Sequence, residues 1–464
     1  MGEAASYFYD ANDAGKQTLH KRVTPNDSQF DEQQVRWNAL AEFLVDDLKE
    51  CSGYRIRTWL QGSYKFGTQV RPVNMTEEFD IDLGIYYCWN SDRTSGKFSP
   101  RELKKLVQNS LARFATKNDD VIEVAEPAKP RCCRVHFKGN FHIDIPCYHL
   151  NEELDERSLA TEDDIWEDSD PKAIYIWFKN QFKDDQRIQI RRLLRYLKAW
   201  AALKFRDVGG RPSSILLTVL VAEASHQLSE ELPSKDDAAL AAVLRTISAR
   251  LTDARDVLNP VDNTENLANR LSDDEWDAFV KKIKAFSDTA AAAESDQDAL
   301  FACSRWAVEF EHLFPLPDVK QLDELVKTLP AVRTIPEVRV NAISRENPNL
   351  TYSGVNGIGP IPKHCKITFE ITNSLSMPQG TQFYWIVRNE GDEAEDLNDL
   401  GHKGGIGLRA EERSAYKGSH FMDCTAVLGG RIIGLRRVLV KITGVPIPGK
   451  KSQRGTLIKL LGRR

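Results

Sequence analysis

The run Gln61-Gly62-Ser63-Tyr64-Lys65-Phe66-Gly67-Thr68, followed by Phe79-Asp80-Ile81-Asp82-Leu83, constrains this chain more than any other stretch. In the second segment Phe79, Ile81, Leu83 and Ile85 alternate with Asp80 and Asp82. Alternation with period two marks a half-buried β-strand, because successive side chains point to opposite faces. Burying the apolar side holds two carboxylates side by side on the other. Adjacent carboxylates repel, so the pair calls for a counter-cation, and Mg²⁺ favours carboxylate and phosphate oxygens. Two-metal phosphoryl transfer needs at least one carboxylate that bridges both ions.

A third carboxylate is expected on a neighbouring strand, and Phe141-His142-Ile143-Asp144-Ile145-Pro146 supplies it. Phe141, Ile143 and Ile145 alternate inward; Asp144 faces the other way with His142. Just upstream, Arg131-Cys132-Cys133-Arg134-Val135-His136-Phe137-Lys138 also reads as a strand, and Gly139-Asn140 is a two-residue hairpin signal. Asp144 is therefore expected on a hairpin packed beside the strand of Asp80 and Asp82. A lone Asp-x-Asp is usually a solvated strand face or a turn. Here the Gly-Ser turn, the alternating strand and the hairpin aspartate occur together and in order, which favours the metal-binding reading.

Further along, Arg191, Arg195, Lys198 and Ala202 recur at helical spacing, so one helix face carries three cations. Leu193, Leu194, Leu197 and Ala201 supply its packing surface. Taken alone this is as readily a solvated basic face. Beside clustered aspartates it suits phosphate, with Arg as a fork and Lys as a point charge. In Arg211-Pro212-Ser213-Ser214-Ile215-Leu216-Leu217-Thr218, Ser213 or Ser214 reads as a helix N-cap. A cap is compatible with a phosphate contact, because helix N-termini bind anions.

Together these motifs resemble the cGAS/DncV-like nucleotidyltransferases of bacterial antiviral defence, relatives of the oligoadenylate synthases with a polymerase-β-like palm. Gly62-Ser63 matches the family's Gly-Ser motif, and Asp80, Asp82 and Asp144 match its catalytic, metal-binding triad. The resemblance covers roughly the first 330 residues. It implies that Arg195, Lys198 and Ser214 grip a donor triphosphate, with Gly62 and Ser63 holding it by close backbone approach and a hydroxyl. It also implies two Mg²⁺ ions, replaceable by Mn²⁺, held by Asp80, Asp82 and Asp144.

At 464 residues, two or three domains are expected. A composition of 41% hydrophobic and 28% charged residues is that of a soluble globular protein. No apolar run reaches about 18 residues, so no membrane span is expected. Met1 to Arg22 lacks the apolar core of a signal peptide. Eight cysteines lie scattered with no Cys-x-x-Cys spacing, which argues against zinc and for reduced thiols in a cytoplasmic protein. The net charge of −5 hides segregation. Asn151 to Lys172 holds ten acidic residues against two basic ones and is expected to be a solvated loop. Arg431 to Arg464 holds ten basic residues and no acidic one. That tail is either an ordinary basic surface or a contact for nucleotide product, nucleic acid or an acidic partner.

The pattern sets out three domains: a palm with an N-terminal helix over 1–186, a helical lobe over 187–330 and a β-rich domain over 337–464. Phe30 to Glu50 reads as a helix with Val35, Leu40, Phe43, Leu44 and Leu48 as its stripe, and Pro100 to Lys117 as another. Helical periodicity recurs over 188–206, 213–230, 236–252, 264–287 and 297–314. Leu329 to Pro336 reads as a linker. Beyond it, strands are expected at 338–340, 366–371, 382–387 and 435–442, punctuated by glycine, as in an antiparallel β-sandwich or partial barrel. This region resembles the adenylyl/guanylyl and SMODS C-terminal sensor domain. Trp385 is expected in its core, and Gly401 to Gly407 as a loop between strands.

The resemblance implies template-independent joining of nucleoside triphosphates (NTP or dNTP) into a cyclic or short linear oligonucleotide signal in anti-phage defence. An effector would read the product. The domain layout is also similar to Hailong-type systems, in which linear DNA oligomers control a membrane effector. A nucleotidyl-transferring toxin acting on tRNA or protein fits less well, because such toxins lack the helical half and the sensor domain. A catalytically dead binding module is disfavoured by the intact aspartates.

Overall fold

In the computed structural model, residues 4–73, 77–317, 334–429 and 431–443 are described. Most of the expected linker, and the basic tail beyond residue 443, lie outside them. The chain divides into two compact units, Met1–Ser295 and Asp296–Arg464.

The first unit is built around β2 (Phe79–Cys88). Its other palm elements are α1 (Ala5–Phe8), α2 (Leu19–Val23), α3 (Asp27–Ser52), β1 (Arg55–Gln61), α4 (Gly62–Phe66), α5 (Pro100–Ala115), β3 (Val121–Val124), β4 (Cys133–Phe137), β5 (Phe141–Ile145), β6 (Cys147–Asn151), β7 (Glu156–Ala160) and β8 (Trp166–Asp168). Strand β1 runs antiparallel along one edge of β2. On the other edge, β5 pairs with the first half of β2 and β6 with the second, both parallel. Pro146, which has no N–H to donate, separates β5 from β6.

The apolar alternation buries as expected: Phe79, Ile81, Leu83, Ile85, Phe141, Ile143 and Ile145 join one core with Leu44 and Leu48 of α3 and Leu103 and Leu111 of α5. Two helix starts are fixed by capping boxes, Asn26 with Gln29 on α3 and Ser99 with Glu102 on α5. Val35 departs from the expected stripe and is exposed, whereas Gln33 is buried. Val35 is five residues from Leu40, about 140° around the helix, while Gln33 is seven residues from it and shares its face.

The acidic stretch is not a loop. It forms β7 and β8, because Ser158, Leu159 and Ala160 bury against the sheet. Several of its carboxylates meet cations, as in Asp170 with Arg157 and Glu162 with Lys104.

Helices α6 (Pro171–Gln181), α7 (Asp184–Lys204), α8 (Ser214–Leu228), α9 (Asp236–Asp253) and α10 (Asp273–Ser295) follow. The expected helix at 264–287 begins late. Residues before it form a hairpin of β9 (Leu258–Asn259) and β10 (Asp262–Asn266), where Pro260 and Asn259 impose a turn.

In the second unit α11 (Ala299–Phe310) precedes the strands. The expected domain division placed this segment in the helical lobe; the compact units divide before it. One sheet has the order β12-β11-β14-β17 and the other β13-β19-β18-β15-β16. The strands are β11 (Val338–Ser344), β12 (Thr351–Val355), β13 (Gly357–Pro362), β14 (Cys365–Ile371), β15 (Gln382–Arg388), β16 (Gly401–Ile406), β17 (Arg409–Arg413), β18 (Gly418–Leu428) and β19 (Arg431–Thr443). All pairs are antiparallel except β13 with β19. Val340, Phe369, Trp385, Cys424 and Val438 share one core. Trp385 is the core aromatic expected, its indole N–H donating to the Gly407 carbonyl at 2.8 Å. Gly401 to Ile406 is a strand rather than a loop: it pairs with β15, and a side chain on Gly401 would meet the Val387 carbonyl at 2.1 Å. Arg437, at the start of the expected basic tail, is buried against Asp423 and is not a surface charge.

Candidate active site

Register assembles the carboxylates. Parallel pairing sets Asp80 opposite His142 and Asp82 opposite Asp144. Residues two apart on each strand share a face, so these four side chains form the corners of one patch. Asp80 is about half exposed, whereas Asp144 is largely covered. Burial pushes the Asp82 carboxyl well above the usual carboxylate range, and the charges of Asp80 and then Asp144 push it further. Burial would also raise Asp144, but the hydrogen-bonded Arg134 guanidinium, helped by Lys129, holds it below that range. Arg134 grips both Asp144 oxygens, the second at 2.8 Å, and Lys129 reaches the same carboxylate at 3.4 Å.

The hairpin that carries Asp144 differs slightly from expectation. Phe137 pairs with Phe141, so the connection is Lys138-Gly139-Asn140, three residues rather than two. Both Gly139 and Asn140 take positive φ.

The Gly-Ser turn is the first turn of the short helix α4. Gly62 has φ of 58°, and a Cβ there would lie 1.9 Å from Asp82 Oδ2. Only glycine lets the backbone come so close to the carboxylate. Ser63 follows it, and its carbonyl accepts from Thr68 N–H at 2.9 Å. Converging carboxylates, one of them with its pKa driven up by burial and by its neighbours, form a donor set that fits Mg²⁺ or Mn²⁺. Donor atoms of Asp80, His142 and Asp144 lie within 4.8 Å of one another.

The cationic face of α7 looks onto the chain that leaves this turn. Lys198 Nζ donates to Thr68 Oγ1 at 2.9 Å, and Arg195 Nε donates to the Gln69 carbonyl at 3.3 Å. Among the described residues neither forms an ion pair with a carboxylate. Burial lowers the Lys198 ammonium to about 7, with Arg195 and Arg211 adding to the shift. Burial likewise lowers Arg195 to about 10. Of the two candidate caps, Ser213 accepts from Leu216 N–H at 3.3 Å and is the cap; Ser214 is the exposed first residue of α8. A cavity of about 1720 Å³ is lined by Gly62, Asp82 and Asp144, by Ile215 of α8 and by Pro260 and Asp262 of the β9–β10 turn.

Several residues of this patch escape motif reading. Arg134 pairs directly opposite Asp144 in the hairpin register, so counting outward from the turn would have found it. Arg211, quoted only within a motif, adds a third cation beside Lys198. Gln61 bridges the hydroxyls of the stacked Tyr86 and Tyr148 at 2.8 and 3.1 Å, a contact with no local signal.

Residues 56–148 match the family model described as cyclic GMP-AMP synthase DncV-like, nucleotidyltransferase domain. Residues 320–443 match the adenylyl/guanylyl and SMODS C-terminal sensor domain. A cyclic GMP-AMP synthase of Escherichia albertii is 30% identical over 457 residues, which cover 97% of this chain and 98% of that one. A c-di-GMP synthase of Roseivirga ehrenbergii is 31% identical over 146 residues, 31% of this chain and 36% of the relative. Among solved structures, the 3′-deoxy GTP-bound form of Escherichia coli DncV superposes with a TM-score of 0.56 at 21% identity, covering 66% of this chain and 96% of that one. Vibrio cholerae DncV in complex with the linear intermediate 5′ pppA(3′,5′)pG gives 0.55 at 21% identity, covering 67% and 97%. These two structures establish the polymerase-β-like fold, and the Escherichia albertii relative, matched end to end, establishes the family. The chain belongs to the cGAS/DncV-like nucleotidyltransferases and carries the family's sensor-type domain at its C-terminal end.

Proposed function

We propose that the protein joins two nucleoside triphosphates into a cyclic dinucleotide by metal-dependent nucleotidyl transfer, and that this product is a signal in defence against phage. The observation that carries the reading is the register of β2 and β5, which brings Asp80, Asp82 and Asp144 to one face beside a glycine only the close approach explains. The names of the relatives, cyclic GMP-AMP synthase and c-di-GMP synthase, support a cyclic product of purine nucleotides.

Asp80 and Asp82 would hold two divalent ions, and Asp144 would complete the acceptor side. When bound, the ions neutralise triphosphate charge and lower the pKa of the attacking hydroxyl. The acceptor 3′ oxygen attacks the donor α-phosphate and pyrophosphate leaves. Gly62 brings backbone N–H groups to the donor phosphates, and Ser63 adds its hydroxyl. Lys198 and Arg195 neutralise the outer phosphates from α7, and the N-terminus of α8 with Ser214 faces the same charge. The second unit regulates or reads product and takes no part in the chemistry; its described residues contain no group of three His, Cys, Asp or Glu at metal-binding distance. An effector elsewhere reads the product; the described residues of this chain contain no helix long and apolar enough to cross a membrane.

The test is incubation of the full chain with each radiolabelled NTP and dNTP, in Mg²⁺ or Mn²⁺. The expected product resists phosphatase and draws on ATP, GTP or both. A ladder of linear oligomers from dNTPs, or no incorporation, refutes the reading.

A further inference from the structure

Four side chains form the corners of the carboxylate patch, and the mechanism above uses three. The fourth is His142, which is 7% exposed. Its Nδ1 lies 2.9 Å from Glu78 Oε2, and the same oxygen takes His136 Nδ1 at 2.8 Å. Glu78 Oε2 takes Nδ1, so Nε2 is the ring nitrogen left facing the patch. That nitrogen is buried with no hydrogen-bond partner, yet it lies 2.9 Å from Asp80 Oδ1.

We infer that His142 Nε2 is a direct ligand, together with Asp80 and Asp144, of one of the two catalytic ions. The inference rests on the metal-dependent reading above. Two ligands at about 2.1 Å from an octahedral ion and 90° apart are separated by about 3.0 Å, which is the spacing found here. The backing matches as well: a metal-bound histidine donates its other ring N–H to a carboxylate, which fixes its tautomer and raises its basicity. Glu78 does this, and His136 pins Glu78. Arg134 and Lys129 already draw on the Asp144 oxygens, so a ring nitrogen restores donor strength at this corner. A mixed nitrogen and oxygen set favours Mn²⁺ over Mg²⁺ relative to carboxylates alone.

The experiment loads the full chain with Mn²⁺ alone, without nucleotide, and reads pulsed electron paramagnetic resonance. Nitrogen coupling to bound Mn²⁺ is expected in the wild-type protein and should vanish in His142→Gln. Glu78→Gln should keep the coupling but weaken Mn²⁺ binding about 10-fold or more. If His142→Gln does not fold, the wild-type spectrum and the Glu78→Gln titration decide. Bound Mn²⁺ with an oxygen-only spectrum, or coupling that survives in His142→Gln, overturns the ligand assignment and leaves the carboxylate site standing. Failure of the protein to bind Mn²⁺ at all overturns both.

Discussion

Replacing Lys198 with methionine should make the protein more stable and less able to bind a triphosphate. Lys198 is buried, 4% exposed, and folding lowers its pKa from 10.5 to about 7. A shift of that size corresponds to roughly 5 kcal/mol of unfavourable free energy when the group is charged in the folded state, at about 1.36 kcal/mol per unit. Because the folded pKa lies below the unfolded one, the unfolded chain binds the extra proton and stability rises with pH through this window. The full penalty therefore applies below pH 7, shrinks above it and is gone near 10.5. Methionine matches the length of the lysine stem and removes the charge. It also orphans the hydroxyl of the fully buried Thr68, a cost of about 1–3 kcal/mol. The net expectation is a gain of roughly 2–4 kcal/mol at pH 6 that fades or reverses by pH 10.

Denaturant unfolding of Lys198→Met and wild type at pH 6, 8 and 10 measures this directly. Calorimetry adds a second reading. At pH 8 a group with pKa of about 7 is mostly neutral, so a bound triphosphate that recharges it should draw nearly one proton from buffer. At pH 6 the uptake should be close to zero, and in Lys198→Met it should be absent at both. A variant less stable than wild type by the same amount at every pH, with unaltered nucleotide affinity, would show that Lys198 is a structural residue of α7.

Three further outcomes follow from the same geometry. Asp82→Asn should abolish nucleotide incorporation yet raise the melting temperature of the metal-free protein, because burial and two like charges strain the native carboxylate; a variant that incorporates nucleotide normally would remove Asp82 from the site. Gly62→Ala forces a side chain to positive φ, about 1–2 kcal/mol of strain, and a methyl onto Asp82 Oδ2; incorporation should fall on the order of 100-fold, and wild-type turnover would show that no close approach is needed. Asp423→Asn leaves Arg388 and Arg437 buried without their carboxylate and should destabilise the second unit by about 3–5 kcal/mol, read as lost hydrogen-exchange protection in β15 and β18; unchanged protection there would mean the backbone carbonyls of His312, Phe314, Leu316 and Pro317 satisfy both guanidinium groups.

What the sequence made legible is what local periodicity encodes. Alternation on β2 and β5 sets which face of each strand is apolar, and the register of the two strands brings Asp80, Asp82 and Asp144 together on the other. Helical spacing likewise put Arg195 and Lys198 on one side of α7. The structure departs from expectation where charge or glycine content masks the alternation. Leu159 and Ala160 were enough to seat β7 despite the acidic run, since Glu162, Glu167 and Asp168 pair with Lys104, Arg131 and Arg93 from distant segments. Gly401 to Ile406 joins a sheet because its backbone pairs with β15, where side chains at Gly401 could not fit. Contacts such as Gln61 with Tyr86 and Tyr148 have no sequence periodicity; they exist only once β1, β2 and β6 lie side by side.

The first unit keeps its two charge clusters from cancelling. Lys198 donates to Thr68 and Arg195 to the Gln69 carbonyl, although Lys198 feels the charges of Asp82 and Asp80. Each cluster is left at odds with itself: Asp82 has its pKa driven up, and Lys198 has its pKa driven down. A salt bridge between them would relieve both and would leave nothing with which to bind substrate. A divalent ion would relieve the carboxylates, a triphosphate would relieve the cations, and an ion-bound triphosphate would do both at once. Such a site should show strongly coupled binding, with metal and nucleotide each raising affinity for the other by the same factor. One short segment borders both clusters: Gly62, at the start of α4, lies against Asp82, and Thr68, just past its end, accepts from Lys198.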